Sequence, residues 1–280
     1  MLRSIHAVGE TVLIKLLRHS FALVSTALLV SWSQPLAAVG SSELKPLLVN
    51  AVDWPPFFIR KSSAGLPGFA REILDYCLPK TGYVARYEWL PVKRTYQYMQ
   101  QGKLDLAVYS KKTERESYIR YGSLPMFTSE VGFAVRSDFK PDGRELADVK
   151  PFRFGYLAGL ALTPELNELL EQKRAAGRAA VEVFQLTDLF AKLLQQPAPV
   201  DVVVNSKETL NWLIFDLGIQ HQAKVLPYAV GRKSYYLTLS RKSANVTDPE
   251  KFFQQFDACL SDFQKQAAFN SLLRRYQLGL

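Results

Sequence analysis

The chain has 280 residues, of which 48% are hydrophobic and 22% charged, so it is neither intrinsically disordered nor a protein with many membrane spans. Three histidines and two cysteines are too few for a zinc site built from several His and Cys side chains. The glycine-rich loops that bind nucleotide phosphates do not occur in the sequence, and we predict neither a metal nor another cofactor. The net charge of +9 favours anionic partners. We do not expect nucleic acid among them, because the sequence has no helix with clustered Arg and Lys.

The N-terminal segment is typical of an export signal. Three basic residues precede a short apolar run at 21–32, and small residues follow at 37–40. The run is shorter than the roughly 20 residues that span a bilayer, which favours a cleaved signal over a retained membrane anchor. We therefore predict a signal peptide at 1–38, cleaved after Ala38 or after Gly40, and a periplasmic mature protein.

Hydrophobic periodicity predicts strands that alternate with helices along the mature chain. In chain order, the predicted strands are 44–52, 83–90, 104–109, 131–136, 152–157, 181–184, 200–204, 224–228 and 235–239. The predicted helices are 69–78, 92–101, 164–173, 186–194 and 249–276. A polar, turn-rich stretch at 137–143 is typical of a domain junction. This order indicates a bilobal α/β protein with two open, mostly parallel sheets flanked by helices.

Candidate site residues follow the ends of three predicted strands, at Trp54, Ser110 and Asn205. In open α/β sheets, ligands bind outside the carboxyl ends of strands, and domain junctions form clefts. We therefore expect these three loops to face one cleft.

A series of short motifs resembles the polar-amino-acid family of periplasmic solute-binding proteins. The motifs are Asp53-Trp-Pro-Pro-Phe57, Gly68-Phe69, Trp89 with Arg94, Gly102-Lys-Leu-Asp105, Ser110-Lys-Lys-Thr-Glu-Arg-Glu116 and Ser123-Leu-Pro125. The resemblance implies a type II periplasmic-binding-protein-like fold, in which two lobes joined by a two-strand hinge close around a small ligand. It implies a lobe 1 of residues 44–136 plus 232–280 and a lobe 2 of residues 140–230, with hinge segments near 134–140 and 228–234.

The resemblance also implies a ligand site. Arg115 matches the family arginine that holds the ligand's carboxylate, a role that suits the two parallel donors of a guanidinium. The alternative interpretation is a surface arginine paired with Glu114 or Glu116. Trp54 matches the aromatic residue that stacks over the ligand, although a lone tryptophan is more often a core residue. Arg94 either adds a second cationic contact or braces the sheet edge. The full candidate ligand site is Trp54, Phe57, Trp89, Arg94, Tyr109, Ser110, Arg115, Asn205 and Ser206.

Two features of the predicted lobe 2 depart from the family pattern. Ser206 occupies the position where an acidic residue usually pairs with the ammonium group of an α-amino acid, and Leu160 and Ala161 replace a hydroxyl that usually helps to bind carboxylate. We therefore predict a small carboxylate-bearing ligand, amino-acid-like or an organic acid, with no preference for an α-amino group. The implied partner is an inner-membrane ABC permease or a sensor, and we expect a monomer.

A dehydratase acting on cyclohexadienyl acids in the periplasm uses the same fold and is the alternative function. Such an enzyme needs a general acid in the cleft. The candidates are Asp53, Glu114 and Glu130, and each of them also has a simple surface or turn interpretation. We therefore predict a binding protein and not an enzyme.

Cys77 and Cys259 are the two cysteines of the chain. In an oxidising compartment they either form one intramolecular disulfide or remain two buried free thiols. The resemblance implies that both of their helices belong to lobe 1, which favours the disulfide.

Overall fold

A computed structural model describes residues 44–61, 65–158, 160 and 162–278, so the predicted signal peptide at 1–38 and the predicted lobe 2 residue Ala161 lie outside the described residues. The strands are β1 (Lys45–Ala51), β2 (Tyr83–Trp89), β3 (Leu106–Ser110), β4 (Ile119–Arg136), β5 (Phe154–Leu157), β6 (Val181–Val183), β7 (Val202–Ser206) and β8 (Ala223–Ser240). The helices are α1 (Phe69–Cys77), α2 (Val92–Gln101), α3 (Leu146–Val149), α4 (Pro164–Ala175), α5 (Leu186–Leu194), α6 (Lys207–Asp216), α7 (Pro249–Gln264) and α8 (Ala267–Arg275). Short 3-10 turns lie at Leu78–Thr81 and Thr113–Arg115.

The strands form one mixed sheet in the order β2-β1-β3-β8-β4-β7-β5-β6. At the first end of the sheet β1 pairs in parallel with β2 and β3, and at the second end β5 pairs in parallel with β6 and β7. The central strands β4 and β8 are antiparallel to each other, and each is antiparallel to its outer neighbour. The predicted α/β class is confirmed. The two predicted sheets are joined into one because β4 and β8 each run through both ends.

The two central strands are longer than the sequence pattern indicates. The predicted strand 131–136 extends back to Ile119, across Gly122 and Pro125, which obscure the strand pattern. The pairing register with β8 shifts on both sides of Pro125, as expected for a residue that has no backbone N–H to donate. Strand β8 likewise joins the two predicted strands 224–228 and 235–239 into one.

Helix α6 was not predicted, because its buried residues do not follow an amphipathic stripe. They are Thr209, Leu210, Trp212, Leu213 and Ile214. Its N-cap is Ser206, whose hydroxyl accepts a hydrogen bond from the backbone N–H of Thr209. The predicted helix 249–276 also differs, since it breaks between Gln264 and Ala267 into α7 and α8.

Separate apolar cores form at the two ends of the sheet. At the first end, residues of β1, α1, α7 and α8 share one core, in which Leu47, Ile73 and Phe256 are fully buried. At the second end, two clusters share strand β7. The fully buried Val202 belongs to a cluster that includes residues of α4, and the fully buried Val203 belongs to one that includes residues of α5 and α6. Burying each such side chain contributes about 1.5–3 kcal/mol. Helix α6 contributes to both ends, because its Trp212 belongs to the core of the first end.

The structure contains a disulfide between Cys77, the last residue of α1, and Cys259 of α7, with the two Cα atoms 5.7 Å apart. Both cysteines are buried in the core of the first end. The alternative of two free thiols is therefore not the state observed. Within the described part of the chain, we find no helix that is long and apolar enough to cross a membrane.

Candidate functional site

A cavity of about 230 Å³ lies where β1, β3, β5 and β7 end beside the central strands. Its lining residues are Asn50, Val52, Asp53, Trp54, Thr95, Tyr96, Val108, Tyr109, Ser129, Val131, Leu157, Ala158, Leu160, Leu186, Asn205, Ser206, Lys233 and Tyr235. This is the position that the topology of open α/β sheets favours for a ligand. Pockets for drug-sized molecules occupy roughly 300–1,000 Å³, so the cavity fits a smaller ligand.

Other depressions on the described surface are larger, including one of about 720 Å³ between the first half of β4 and α7. That depression is lined by residues of the first end of the sheet alone, within 111–123 and 241–257. The 230 Å³ cavity combines several aromatic walls with buried polar side chains from both ends of the sheet, which is the usual composition of a binding site. We therefore take the smaller cavity as the candidate site.

The central strands supply four side chains to the cavity by simple strand alternation. Lys233 and Tyr235 are two residues apart on β8, and Ser129 and Val131 are two residues apart on β4, so each pair lies on one face of its strand. Ser129 is the direct register partner of Lys233. The antiparallel pair therefore places a cation and an aromatic ring beside a hydroxyl.

The loop after β1 brings Trp54 to the cavity. The half-buried indole lies 4.8 Å from the ring of Tyr235 and 4.6 Å from that of Phe57, measured between centroids. Phe57 itself is fully buried and stacks on Phe127 at 4.0 Å, so it supports the loop from the core and does not line the cavity. Trp54 lines the cavity and also packs against the core of the first end.

Gly68 explains why the loop can fold this tightly. Its φ is +115°, and a Cβ atom at this position would lie 2.5 Å from the carbonyl oxygen of Phe57. Directly after it, the backbone N–H of Phe69 donates to the carbonyl of Pro56 at 2.8 Å. Only glycine accommodates both the conformation and the close approach.

Arg115 contacts the wall of the cavity from behind. Its guanidinium donates to the hydroxyl of Tyr96 at 2.8 Å and to the carbonyl oxygen of Ser110 at 2.9 Å. It also lies 5.0 Å from the ring centre of Tyr96 and 4.9 Å from that of Tyr109. Tyr96 and Tyr109 line the cavity, whereas Arg115 and Ser110 are not among its lining residues. The structure thus pairs Arg115 with neither Glu114 nor Glu116, the alternative left open by the sequence.

The end of β7 supplies two buried polar residues, Asn205 and Ser206. The strand ends two residues later than the predicted 200–204, so both residues belong to it. The side-chain oxygen of Asn205 accepts from the backbone N–H of Ser206 at 2.8 Å, and the Ser206 hydroxyl lies 2.7 Å from that of Thr209. Thr209 in turn donates to the carbonyl of Pro55 at 2.6 Å, which connects α6 to the loop that carries Trp54.

The remaining two candidates lie outside the cavity. Trp89 is half-buried at the end of β2 with Arg60 5.9 Å from its ring centre, and Arg94 is exposed on α2. The next residue of α2, Thr95, is buried, lines the cavity and donates to the side-chain oxygen of Asn50 at 2.9 Å. Sequence analysis did not single out these two polar residues, or Lys233 and Tyr235.

Burial sets the protonation of the groups in the cavity. It lowers the pKa of Lys233 from the ordinary lysine value, and the positive charges of Lys112 and Arg115 act in the same direction. Burial raises the pKa of Tyr109 far above its usual value and raises the pKa of Tyr235 to about 12. Both tyrosines are therefore neutral donors at physiological pH.

Of the three acids considered for catalysis, Asp53 lines the cavity, where its carboxylate accepts from the backbone N–H of Arg60 at 3.2 Å. Glu130 forms ion pairs with Lys207 and Arg232, at 3.4 and 3.9 Å. Glu114 is exposed on a 3-10 turn. A search of the described residues finds no group of three His, Cys, Asp or Glu side chains that could hold a metal ion.

Comparison of the sequence with protein-family profiles and with curated proteins finds no match. Solved structures do match. The ligand-binding core of GluR0 from Nostoc punctiforme, in complex with L-glutamate, is 19% identical with a TM-score of 0.62, over 82% of this chain and 99% of that chain. The amino acid ABC transporter substrate-binding protein AbpA from Streptococcus pneumoniae, bound to L-arginine, is 16% identical with a TM-score of 0.64, over 84% and 95%.

A third similar structure is a histidine kinase sensor domain described as similar to periplasmic binding proteins. It is 14% identical with a TM-score of 0.63, over 84% of this chain and 97% of that chain. At these identities the likeness concerns the fold. The chain therefore has the type II periplasmic-binding-protein-like fold that its sequence motifs predict.

Proposed function

We propose that this chain is a periplasmic solute-binding protein that holds a small carboxylate-bearing molecule in the cavity between two lobes. The observation that carries the proposal is the cavity itself, because residues from both ends of the sheet and from both central strands line it. A ligand that contacts all of these elements is bound more tightly when they approach one another. That difference in affinity is what drives a hinge to close.

The pairing of the central strands supports two lobes, which we place at 44–127 plus 235–280 and at 131–231. Residues 131–136, assigned to lobe 1 from the sequence, then belong to lobe 2, because Val131–Val135 pair with β7. Strand β8 pairs with β3 at Tyr235–Leu239, and β4 pairs with β7 at Val131–Val135. Between these regions β4 and β8 pair only with each other, at 128–130 opposite 232–234. We place the hinge in this short segment, where bending disturbs no other strand pair. It overlaps the sequence-based segment 228–234, whereas 134–140 begins among residues that pair with β7.

The placement of the candidate residues divides them by role. We propose that Trp54, Tyr109, Asn205 and Ser206 contact the ligand directly, because they line the cavity. Phe57, Ser110 and Arg115 support that wall from behind. Trp89 and Arg94 belong to neighbouring surface, so we assign them no contact with the ligand in the conformation described.

The destination of the ligand is a membrane protein, either an ABC permease or a sensor. The similar structures include a substrate-binding protein of an amino acid ABC transporter and a histidine kinase sensor domain. We propose delivery to a permease, with a monomeric protein whose signal peptide at 1–38 is removed on export. N-terminal sequencing of the protein from a periplasmic extract tests the export step, and an intact Met1 in that extract contradicts cleavage.

A thermal-shift screen of amino acids, organic acids and short peptides tests ligand binding. A ligand present at one hundred times its dissociation constant stabilises the folded state by about 2.7 kcal/mol. Trp54→Ala should reduce the shift, because the indole forms part of the cavity wall. The matched control is Phe215→Ala, an aromatic side chain that is half exposed on α6 outside the cavity and whose loss should leave the shift unchanged.

The same screen separates binding from catalysis. We expect each stabilising acid to be recovered chemically unchanged after incubation with the protein, by mass spectrometry. If a cyclohexadienyl acid is converted to a product, and Asp53→Asn abolishes the conversion, the dehydratase alternative replaces the binding function. If no small molecule stabilises the protein, the proposed function is wrong.

A further inference from the structure

The walls of the cavity contain two pairs of aromatic rings. Trp54 and Tyr235 are 4.8 Å apart between ring centres, and Tyr96 and Tyr109 are 5.3 Å apart. Aromatic rings contact other aromatic rings in offset or edge-to-face arrangements, which contribute beyond the burial of apolar area. Two such pairs in a small cavity favour a ligand that carries a flat ring.

The charge preference of the cavity comes from Lys233. The charged lining residues in the described part of the chain are Lys233 and Asp53. Lys233 is half-buried on a central strand, whereas Asp53 is exposed and its carboxylate accepts from the backbone of a neighbouring residue. Because charge interactions strengthen as water is excluded, Lys233 has the larger influence on a bound ion.

Tyr109 faces the cavity with its ring, while its hydroxyl is buried. Tyr109 is 8% exposed, and its hydroxyl has no hydrogen-bond partner among the described residues. A ligand in the cavity therefore contacts the ring of Tyr109, because the hydroxyl oxygen itself is inaccessible.

We propose that the ligand is a small aromatic carboxylate, whose carboxylate binds Lys233 and whose ring packs against the two aromatic pairs. Arg115 is a positioning residue, which holds Tyr96 and Tyr109 by its hydrogen bond and its position over their rings. This inference rests on the proposed function and names the ligand class for the same cavity.

Isothermal titration calorimetry with three related probes tests the ligand class. Phenylacetate has the proposed ring and charge, phenylacetamide lacks the charge, and cyclohexylacetate lacks the flat ring. We expect phenylacetate to bind at least about thirtyfold more tightly than the amide, as for a charge that loses its partner in a desolvated site. We expect cyclohexylacetate to bind about fivefold more weakly than phenylacetate.

Substitution of Lys233 tests the assigned contact. Lys233→Met should weaken phenylacetate binding at least about thirtyfold and leave phenylacetamide binding unchanged. The unchanged amide affinity shows that the variant is folded and its cavity intact. The matched control is Lys112→Met, which removes a nearby positive charge that does not line the cavity and should change phenylacetate affinity less than about threefold.

The outcomes separate an error in the ligand class from an error in the proposed solute-binding function. If phenylacetate binds equally to the wild type and to Lys233→Met, or no more tightly than cyclohexylacetate, the inference is wrong and solute binding stands. If phenylacetate fails to bind while L-arginine, L-glutamate or an aliphatic acid binds, the aromatic class is wrong and the proposed function stands. If none of these molecules binds, the proposed function itself is wrong.

Discussion

Reduction of the Cys77–Cys259 disulfide should destabilise the protein strongly, because the bridge closes a loop of 182 residues. In the loop-entropy relation, cross-linking a loop of this length stabilises the folded state by about 5 kcal/mol at 25 °C. Reduction leaves both buried side chains in place, so the loss comes from the unfolded chain and not from a cavity in the core. With a urea m value of about 3 kcal/mol/M, the unfolding midpoint should fall by about 1.7 M.

Urea unfolding without ligand, followed by circular dichroism with and without reductant, measures this effect. The double variant Cys77→Ala/Cys259→Ala should unfold within about 1 kcal/mol of the reduced wild type, and reductant should not change its midpoint. Thiol titration of the unfolded, unreduced wild type should find no free thiol. Two free thiols, or a midpoint that reductant moves by less than about 0.3 M, would refute the reasoning.

Two further predictions concern a glycine and an ion pair. Gly68→Ala should destabilise the protein by at least about 3 kcal/mol in thermal unfolding, because it adds a backbone clash to a strained φ. Gly82→Ala has open space around its Cβ and should cost only about 1 kcal/mol, and equal losses would contradict this account. The hydrogen bond from Arg153 lowers the pKa of Asp201. The ionised carboxylate therefore stabilises the fold fully above the ordinary aspartate pKa of about 3.9. This stabilisation is lost as the pH falls through the lowered pKa of the folded state. Asp201→Asn should therefore lower the free energy of unfolding by at most about 1 kcal/mol near neutral pH. In urea unfolding, the stability difference between variant and wild type should shrink from about pH 5 to pH 3. A stability difference that does not change with pH would argue against the ion pair.

The sequence was most informative where a structural signal is local. Strand β1 and helices α1 and α2 match their predicted ranges within one residue at each end, because apolar spacing and flanking glycines or prolines define them. The bounds of the central strands were harder to predict. A strand that crosses Pro125 is stabilised by pairing with residues about one hundred positions away. Helix α6 was not predicted because it is buried on several sides and has no amphipathic stripe.

The candidate site shows the same limit. The motifs indicated the loops that surround the cavity, and four of the nine named candidates line it, namely Trp54, Tyr109, Asn205 and Ser206. The position of Arg115 depends on rings from α2 and β3 that its own motif does not specify. Lys233 faces the cavity only because β8 is one continuous strand in register with β4, which the broken strand pattern concealed.

The order of the strands has a consequence for how the chain acquires its structure. At the second end, β5, β6 and β7 lie within residues 154–206, so their pairing closes only short loops. At the first end, Leu106 of β3 pairs with Leu239 of β8, and this pairing closes a loop of 133 residues (239 − 106). Because long-range contacts must first overcome the entropy of loop closure, we expect the second end to fold early and the first end late. Strand β3 therefore waits longest for its pairing with β8, and we expect its exposed edge to govern aggregation during folding.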